Sequence, residues 1–180
     1  VVVSAGNEGA SQWKYITAPA DGDSVLTVGA VDASGDPVAF SSEGPTADGR
    51  TKPDLVAQGL AAVGVNSAGM PAPLNGTSFS SPIMAGIVAC LIQAGPQRKN
   101  YGVFAQLRLS ASLFPNGNNK VGYGLPDAEQ ALAETITEFK TARHLTTRAV
   151  GNVLKFRADR VVNGRRLRRR NGRGGIAAWV

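Results

Sequence analysis

The chain has 180 residues, 43% of them hydrophobic and only 6% aromatic, with 22 glycines. That is enough for one domain with a sizeable core, and no apolar run approaches the roughly 18 residues that span a bilayer. The net charge of +6 is an average over two unlike segments: residues 1–139 hold seven Lys and Arg against twelve Asp and Glu, and the last 41 residues hold twelve against one. Such an asymmetry predicts two physical objects in one chain, a domain over 1–139 and a basic Arg/Gly-rich tail over 140–180.

The chain opens without Met, inside an apolar stretch, Val1-Val2-Val3. The true N-terminus is therefore expected upstream. The stretch reads as the end of a buried parallel strand, running into the small-residue loop Ser4-Ala5-Gly6-Asn7-Glu8-Gly9. Residues Val25 to Val31 are almost continuously apolar, the pattern of a strand covered on both faces. Asp32 to Pro37 has turn composition, and Val38 to Ser42 reads as a short strand forming a hairpin with the one before. Leu55 to Ala57 and Ala61 to Val65 are further short strands.

From Ser78 the pattern changes. Ser78 to Gln93 is apolar on nearly all sides, which predicts a central helix ended by Gly95-Pro96. The lone cysteine, Cys90, lies within it and reads as a packing residue. A disulfide framework and a Cys-based metal site are excluded. Val103 to Leu113 predicts a second helix. A third starts at Pro126 or Asp127 and runs to about Thr137, with Asp127 and Glu129 at its positive end. Beyond Phe139 the periodicity is lost. Residues 164–175 are low-complexity and read as disordered or anomalous for the domain, either a solvated end or a shifted reading frame.

Two motifs carry chemistry. In Asn75-Gly76-Thr77-Ser78-Phe79-Ser80-Ser81-Pro82 a serine opens an apolar helix. The free N–H groups and dipole of a helix N-terminus favour negative charge, as acyl transfer to a serine requires. Gly76 permits a tight turn and close approach of a substrate backbone. The second motif is the loop after the first strand, at the carboxyl end where parallel sheets bind ligands. There the Asn7 amide is a neutral donor. With the Ser78 backbone N–H it makes a workable oxyanion hole.

Together, SAGNEG after a Val-rich strand, VLTVGAVD, NGTSFSSPIMAGIVA and GYGLPDAEQAL resemble the subtilase family over roughly residues 1–135. The resemblance implies an α/β fold, a subtilisin-like parallel sheet with helices on both faces, here without its N-terminal half. It implies a serine endopeptidase with Ser78 as nucleophile and Asn7 as oxyanion-hole amide. Ala5, Gly6 and Glu8, with Gly76 and Thr77, would bind substrate, Glu8 at the rim disfavouring acidic side chains. Ala18-Pro19 corresponds to a place that can hold a cis proline, and Asp54 to a supporting aspartate outside the triad.

Members order their triad Asp, His, Ser, and both earlier residues would lie upstream of Val1. The only histidine, His144, follows Ser78 by 66 residues in the basic tail and is not taken as the base. The α/β-hydrolase order would allow a later His, but Ser78 sits in Gly-Thr-Ser-Phe-Ser, not Gly-x-Ser-x-Gly. In subtilisin itself, loss of the histidine costs about 10⁶-fold in kcat. This chain alone is therefore expected to be inactive, the alternative being a catalytically dead module that binds a peptide or partner. The chemistry needs no cofactor. Structural calcium is possible in the full-length parent, while Asp21, Asp23, Asp32 and Asp36 read as turn acids. The expected partner is a protein or peptide substrate, without a membrane. Nucleic-acid binding would rest on the basic tail alone, which has no aromatic platform. The resemblance implies secretion.

Overall fold

The computed structural model describes residues 1–96, 98–143, 161–162, 165–168 and 178–179. It divides into two compact units, residues 1–133 and 134–180.

In the first unit, β1 (Val2–Ser4), β2 (Leu26–Val31) and β3 (Leu55–Gln58) form a parallel sheet in that order. Val3 pairs with Thr27, and Gly29 with Val56. Every residue of β2 is buried, as an unbroken apolar run requires when both faces are covered. On one face Leu26, Val28, Leu55 and Ala57 form the main core. Onto them pack Met84, Val88 and Leu91 of α1 (Thr77–Ala94), Val103 and Leu107 of α2 (Asn100–Leu109), and Ala131 of α3 (Ala128–Arg143). On the other face Val31 and Val56 meet Val121 from a loop. Helices on that second face, which the family resemblance implies for the whole sheet, are not among those built by the described residues.

The second face also holds a buried charge cluster. The Asp54 carboxylate accepts from Lys52 Nζ at 2.5 Å, from the Thr27 backbone N–H at 2.8 Å and from Arg108. Lys52 Nζ also donates to Val25 O and Thr27 Oγ1, and Thr27 Oγ1 donates to Ala20 O. The cluster ties β2, β3 and α2 together and supports Asp54 as a structural residue.

Several elements differ from the sequence expectation. Val38–Ser42 is no strand. The isolated bridge Val31–Pro37 lies just before it, and its own bonds are single ones: Val38 N–H donates to Ala30 O, Ser41 Oγ accepts from Ala30 N–H of β2, and Ser42 Oγ accepts from Glu8 N–H. An unexpected strand, β5 (Pro71–Leu74), pairs antiparallel with β4 (Ala62–Val65). Its two prolines hid it. Asn66 N bonds Met70 O, so the alternate pairs Val65–Pro71 and Val63–Pro73 exchange no ladder bond, and the missing proline N–H groups are not needed there.

Helix α2 begins and ends earlier than expected. Ser112 N and Leu113 N bond Leu125 O and Tyr123 O, which draws that segment out of the helix. α3 is capped by Asp127 Oδ1, which accepts from Gln130 N at 2.8 Å, and extends to Arg143. α1 is not buried all round. Thr77, Ser80, Met84, Val88, Leu91 and Ala94 form one buried stripe, while Ile83 and Ile92 remain over 40% exposed and Cys90 is half-buried. Among the described residues it is also the one helix that by length and composition could cross a membrane, because the uncharged turn Thr77–Pro82 extends it to 18 residues without a charge.

In the second unit, β6 (Val161–Val162), β7 (Arg165–Arg168) and β8 (Ala178–Trp179) pair antiparallel. Arg165–Arg168 of β7 falls within the low-complexity stretch 164–175. The two residues between β6 and β7 in sequence are Asn163-Gly164, the pair most favoured in two-residue hairpins. The rest of that stretch, and His144, lie outside the described residues.

Candidate active site

The site forms where two chain reversals meet. The first follows β1. Ala5 is 2% exposed and packs with Ile16, Ala20 and Val3. At Gly6 the chain turns through a φ of +106°, a conformation that only glycine adopts without strain. Gly6 N–H donates to Thr77 Oγ1 at 3.2 Å. Asn7 and Glu8 then stand exposed at the head of the turn.

The second reversal precedes α1. Asn75 Oδ1 accepts from Ala61 N at 2.8 Å, and Gly76 N donates to Gly59 O at 2.8 Å. Gly76 is buried with φ 144° and ψ 152°, glycine-only space, and it hands the chain into α1 with Ser78 exposed on the first turn. No acidic residue stands in that turn to neutralise the helix dipole. The Ser78 N–H, as a first-turn donor, has no helical acceptor and can serve an oxyanion.

Thr77 joins the two reversals. Its backbone N–H donates to Asn7 Oδ1 at 2.9 Å, and its hydroxyl donates to the same oxygen at 3.0 Å. This settles the orientation of the Asn7 amide, since only its oxygen can accept from a backbone N–H. Nδ2 is turned away from Thr77, toward the turn into α1: a methyl group built on Gly76 would lie 3.4 Å from it. The arrangement is a neutral amide donor and a helix N-terminus beside one exposed serine hydroxyl.

The sequence-predicted residues thus divide. Ser78, Asn7, Gly6 and Gly76 come together around one point. Glu8 stands exposed beside them. Thr77 is 1% exposed and its hydroxyl is engaged by Asn7 and Gly6, so it holds the site without facing a substrate. Ala5 is likewise buried beneath the turn. The Ala18–Pro19 bond is cis. Sequence reasoning missed Ser42, which is 1% exposed and bonds the backbone before and after Asn7, at Gly6 O and Glu8 N–H. The only signal was its place in the polar pair Ser41-Ser42 after an apolar run.

No group of three or more His, Cys, Asp or Glu is placed to hold a metal ion among the described residues. Three of the loop acids face donors of the chain itself. Asp32 Oδ1 caps the N–H groups of Ser34 and Asp36, while Asp48 and Asp23 face Arg50 at 2.8 and 3.8 Å. Hydrogen bonds from Arg50 and Thr46 hold the Asp48 carboxyl down at about 2.

A serine presented at a helix N-terminus beside an amide donor, at the carboxyl end of a parallel sheet, is an arrangement able to stabilise an oxyanion formed next to that serine. The model of the Subtilase family matches residues 1–124, and the chain belongs to that family. It is 35% identical to the serine protease AprX of Bacillus subtilis (strain 168), the match covering 53% of this chain and 26% of that protein. It is 33% identical to M-protease of Shouchella clausii (strain KSM-K16), covering 73% and 32%. The self-cleaved protease domain of PatA superposes with a TM-score of 0.61 at 29% identity, covering 74% of this chain and 49% of that one. The chain therefore spans about half, or less, of the length of the relatives it matches, and it is part of a subtilase-type serine protease domain.

Proposed function

We propose that the full-length protein is a serine endopeptidase and that this chain contributes its nucleophile and oxyanion hole. Ser78 Oγ attacks the carbonyl carbon of a peptide bond, and its proton passes to a histidine of the full-length protein other than His144, supplied from outside this 180-residue chain. The carbonyl oxygen becomes an oxyanion that accepts from Asn7 Nδ2 and Ser78 N–H. Collapse breaks the C–N bond, the histidine protonates the leaving amine, and water later hydrolyses the ester on Ser78. The observation that carries this reading is the Asn7 amide, pinned through its oxygen to Thr77 with its nitrogen left for a ligand.

The base and its orienting carboxylate are the missing parts, so the 180-residue chain alone is inactive on this reading. Two surfaces suit the sequence that would supply them. One is the apolar outer stripe of α1 around Ile83 and Ile92, and the other is the free edge of β1, where Val1 is 79% exposed. Gly6 and Glu8 form one wall of the substrate cleft, with Glu8 disfavouring acidic side chains. Secretion is proposed on family resemblance.

The test is labelling of the full-length protein with a fluorophosphonate. A single adduct on Ser78, absent in Ser78→Ala and absent from the 180-residue chain alone, is expected. A correctly folded full-length protein that takes no label would support the other reading, a subtilase-like module that binds peptide without cutting it.

A further inference from the structure

We propose that Ser42 is a positioning residue for catalysis, the second of two clamps that aim the Asn7 amide; this rests on the oxyanion reading of Asn7 given above. Two hydrogen bonds make the case. Ser42 N–H donates to Gly6 O at 2.9 Å, and Ser42 Oγ accepts from Glu8 N–H at 2.9 Å. The bonded peptides flank Asn7 on both sides. One residue further on, Gly9 N–H donates to Phe40 O at 2.9 Å, so the whole turn is laced to the segment Phe40–Ser42.

The contact is close and specific. A methyl group built on Gly6 would lie 2.8 Å from Ser42 Oγ, and one on Gly9 would lie 2.2 Å from Ser41 O. The two glycines are what allow the turn to lie against this segment. Ser42 is 1% exposed, so its hydroxyl serves the turn and not a substrate.

The division of labour follows from the geometry. Thr77 grips the side-chain oxygen of Asn7 and fixes which way the amide faces. Ser42 grips the backbone on both sides of Asn7 and fixes where the amide stands. Without the Ser42 hydroxyl, Glu8 N–H loses its acceptor and the peptide between Asn7 and Glu8 can rotate. Asn7 Oδ1 can still follow Thr77, but Nδ2 then leaves the point where the oxyanion forms. A displacement of about 1 Å at such a group is enough to cost up to 10²-fold in rate.

The test is steady-state kinetics of the full-length protein on a peptide substrate, with unfolding midpoints recorded alongside. Ser42→Ala is expected to lower kcat about 10-fold with KM changed by less than about 2-fold, because only transition-state binding is lost. Asn7→Ala is expected to lose about 10²- to 10³-fold, the scale known for the equivalent amide of subtilisin itself. The double variant is expected to be no slower than Asn7→Ala, since Ser42 acts through Asn7. If Asn7→Ala costs activity while Ser42→Ala does not, or if the two losses multiply, the role of Ser42 is refuted and Asn7 stands. If Asn7→Ala leaves kcat unchanged, the oxyanion reading itself fails. Should Ser42→Ala not fold, Ser42→Cys keeps the shape with a weaker acceptor. A smaller loss confined to kcat is then expected, and unaltered kcat would overturn the proposal.

Discussion

Replacing Asp54 by asparagine tests the buried charge cluster most directly. The carboxylate is 2% exposed and receives three donors, of which Lys52 is itself only 3% exposed. Asparagine keeps the shape but removes the charge, and its amide turns a donor toward groups that are already donors. Lys52 is then left as a buried cation without a counter-charge, held only by neutral oxygens: those of Val25 and Thr27 and that of the new amide. Arg108 suffers less, because its side chain is 38% exposed and water can solvate it. Breaking one partner of such a pair costs about 3–5 kcal/mol, a large share of a total stability of about 5–15 kcal/mol. Urea unfolding of the full-length protein should show a lower midpoint at an unchanged slope. Replacing the pair together, Lys52→Met with Asp54→Leu, should recover most of the loss, because the cost lies in the orphaned charge and not in a missing attraction. A loss under about 1 kcal/mol in Asp54→Asn would refute the claim that Lys52 is cut off from water. A double variant as unstable as the single would refute the account of why.

Two smaller effects follow. Ser80 Oγ is fully buried against the sheet with no hydrogen-bond partner, so Ser80→Ala should leave stability unchanged or raise it by about 1 kcal/mol. A clear drop in unfolding midpoint would show that the hydroxyl has a partner after all. Arg50 and Thr46 hold the Asp48 carboxyl down at about 2, below its ordinary 3.8. Its contribution is therefore full above about pH 4 and fades as pH falls toward 2. Asp48→Asn should flatten that acid limb in unfolding midpoints taken between pH 2.5 and 5. An equally steep limb in the variant would assign the acid loss to other groups.

The family and fold of this chain were legible where they depend on neighbours in sequence. Ser78 opens a helix because glycine precedes it and an apolar run follows. Asn7 sits at a loop after a strand because small residues follow a valine run. Both are local facts, carried by residue type and spacing, and they sufficed to place the chain in one family of folds. The run Val25 to Val31 likewise announced a strand buried on both faces, and β2 is one.

What tertiary structure alone decided is everything made by contact across the chain. Thr77 reads as a substrate neighbour in sequence, yet it is the buried pin for an amide 70 residues away. Ser42 reads as one of two serines ending a strand. It becomes a brace because the parallel pairing of β1 and β2 brings the Asn7 turn down onto it. The exposed stripe of α1 was equally hidden, since an apolar helix looks alike whether one side or both are covered. The physical reason is the same in each case. Backbone conformation responds to the residues beside it, whereas a hydrogen bond between segments depends on the register and packing that the whole chain settles together.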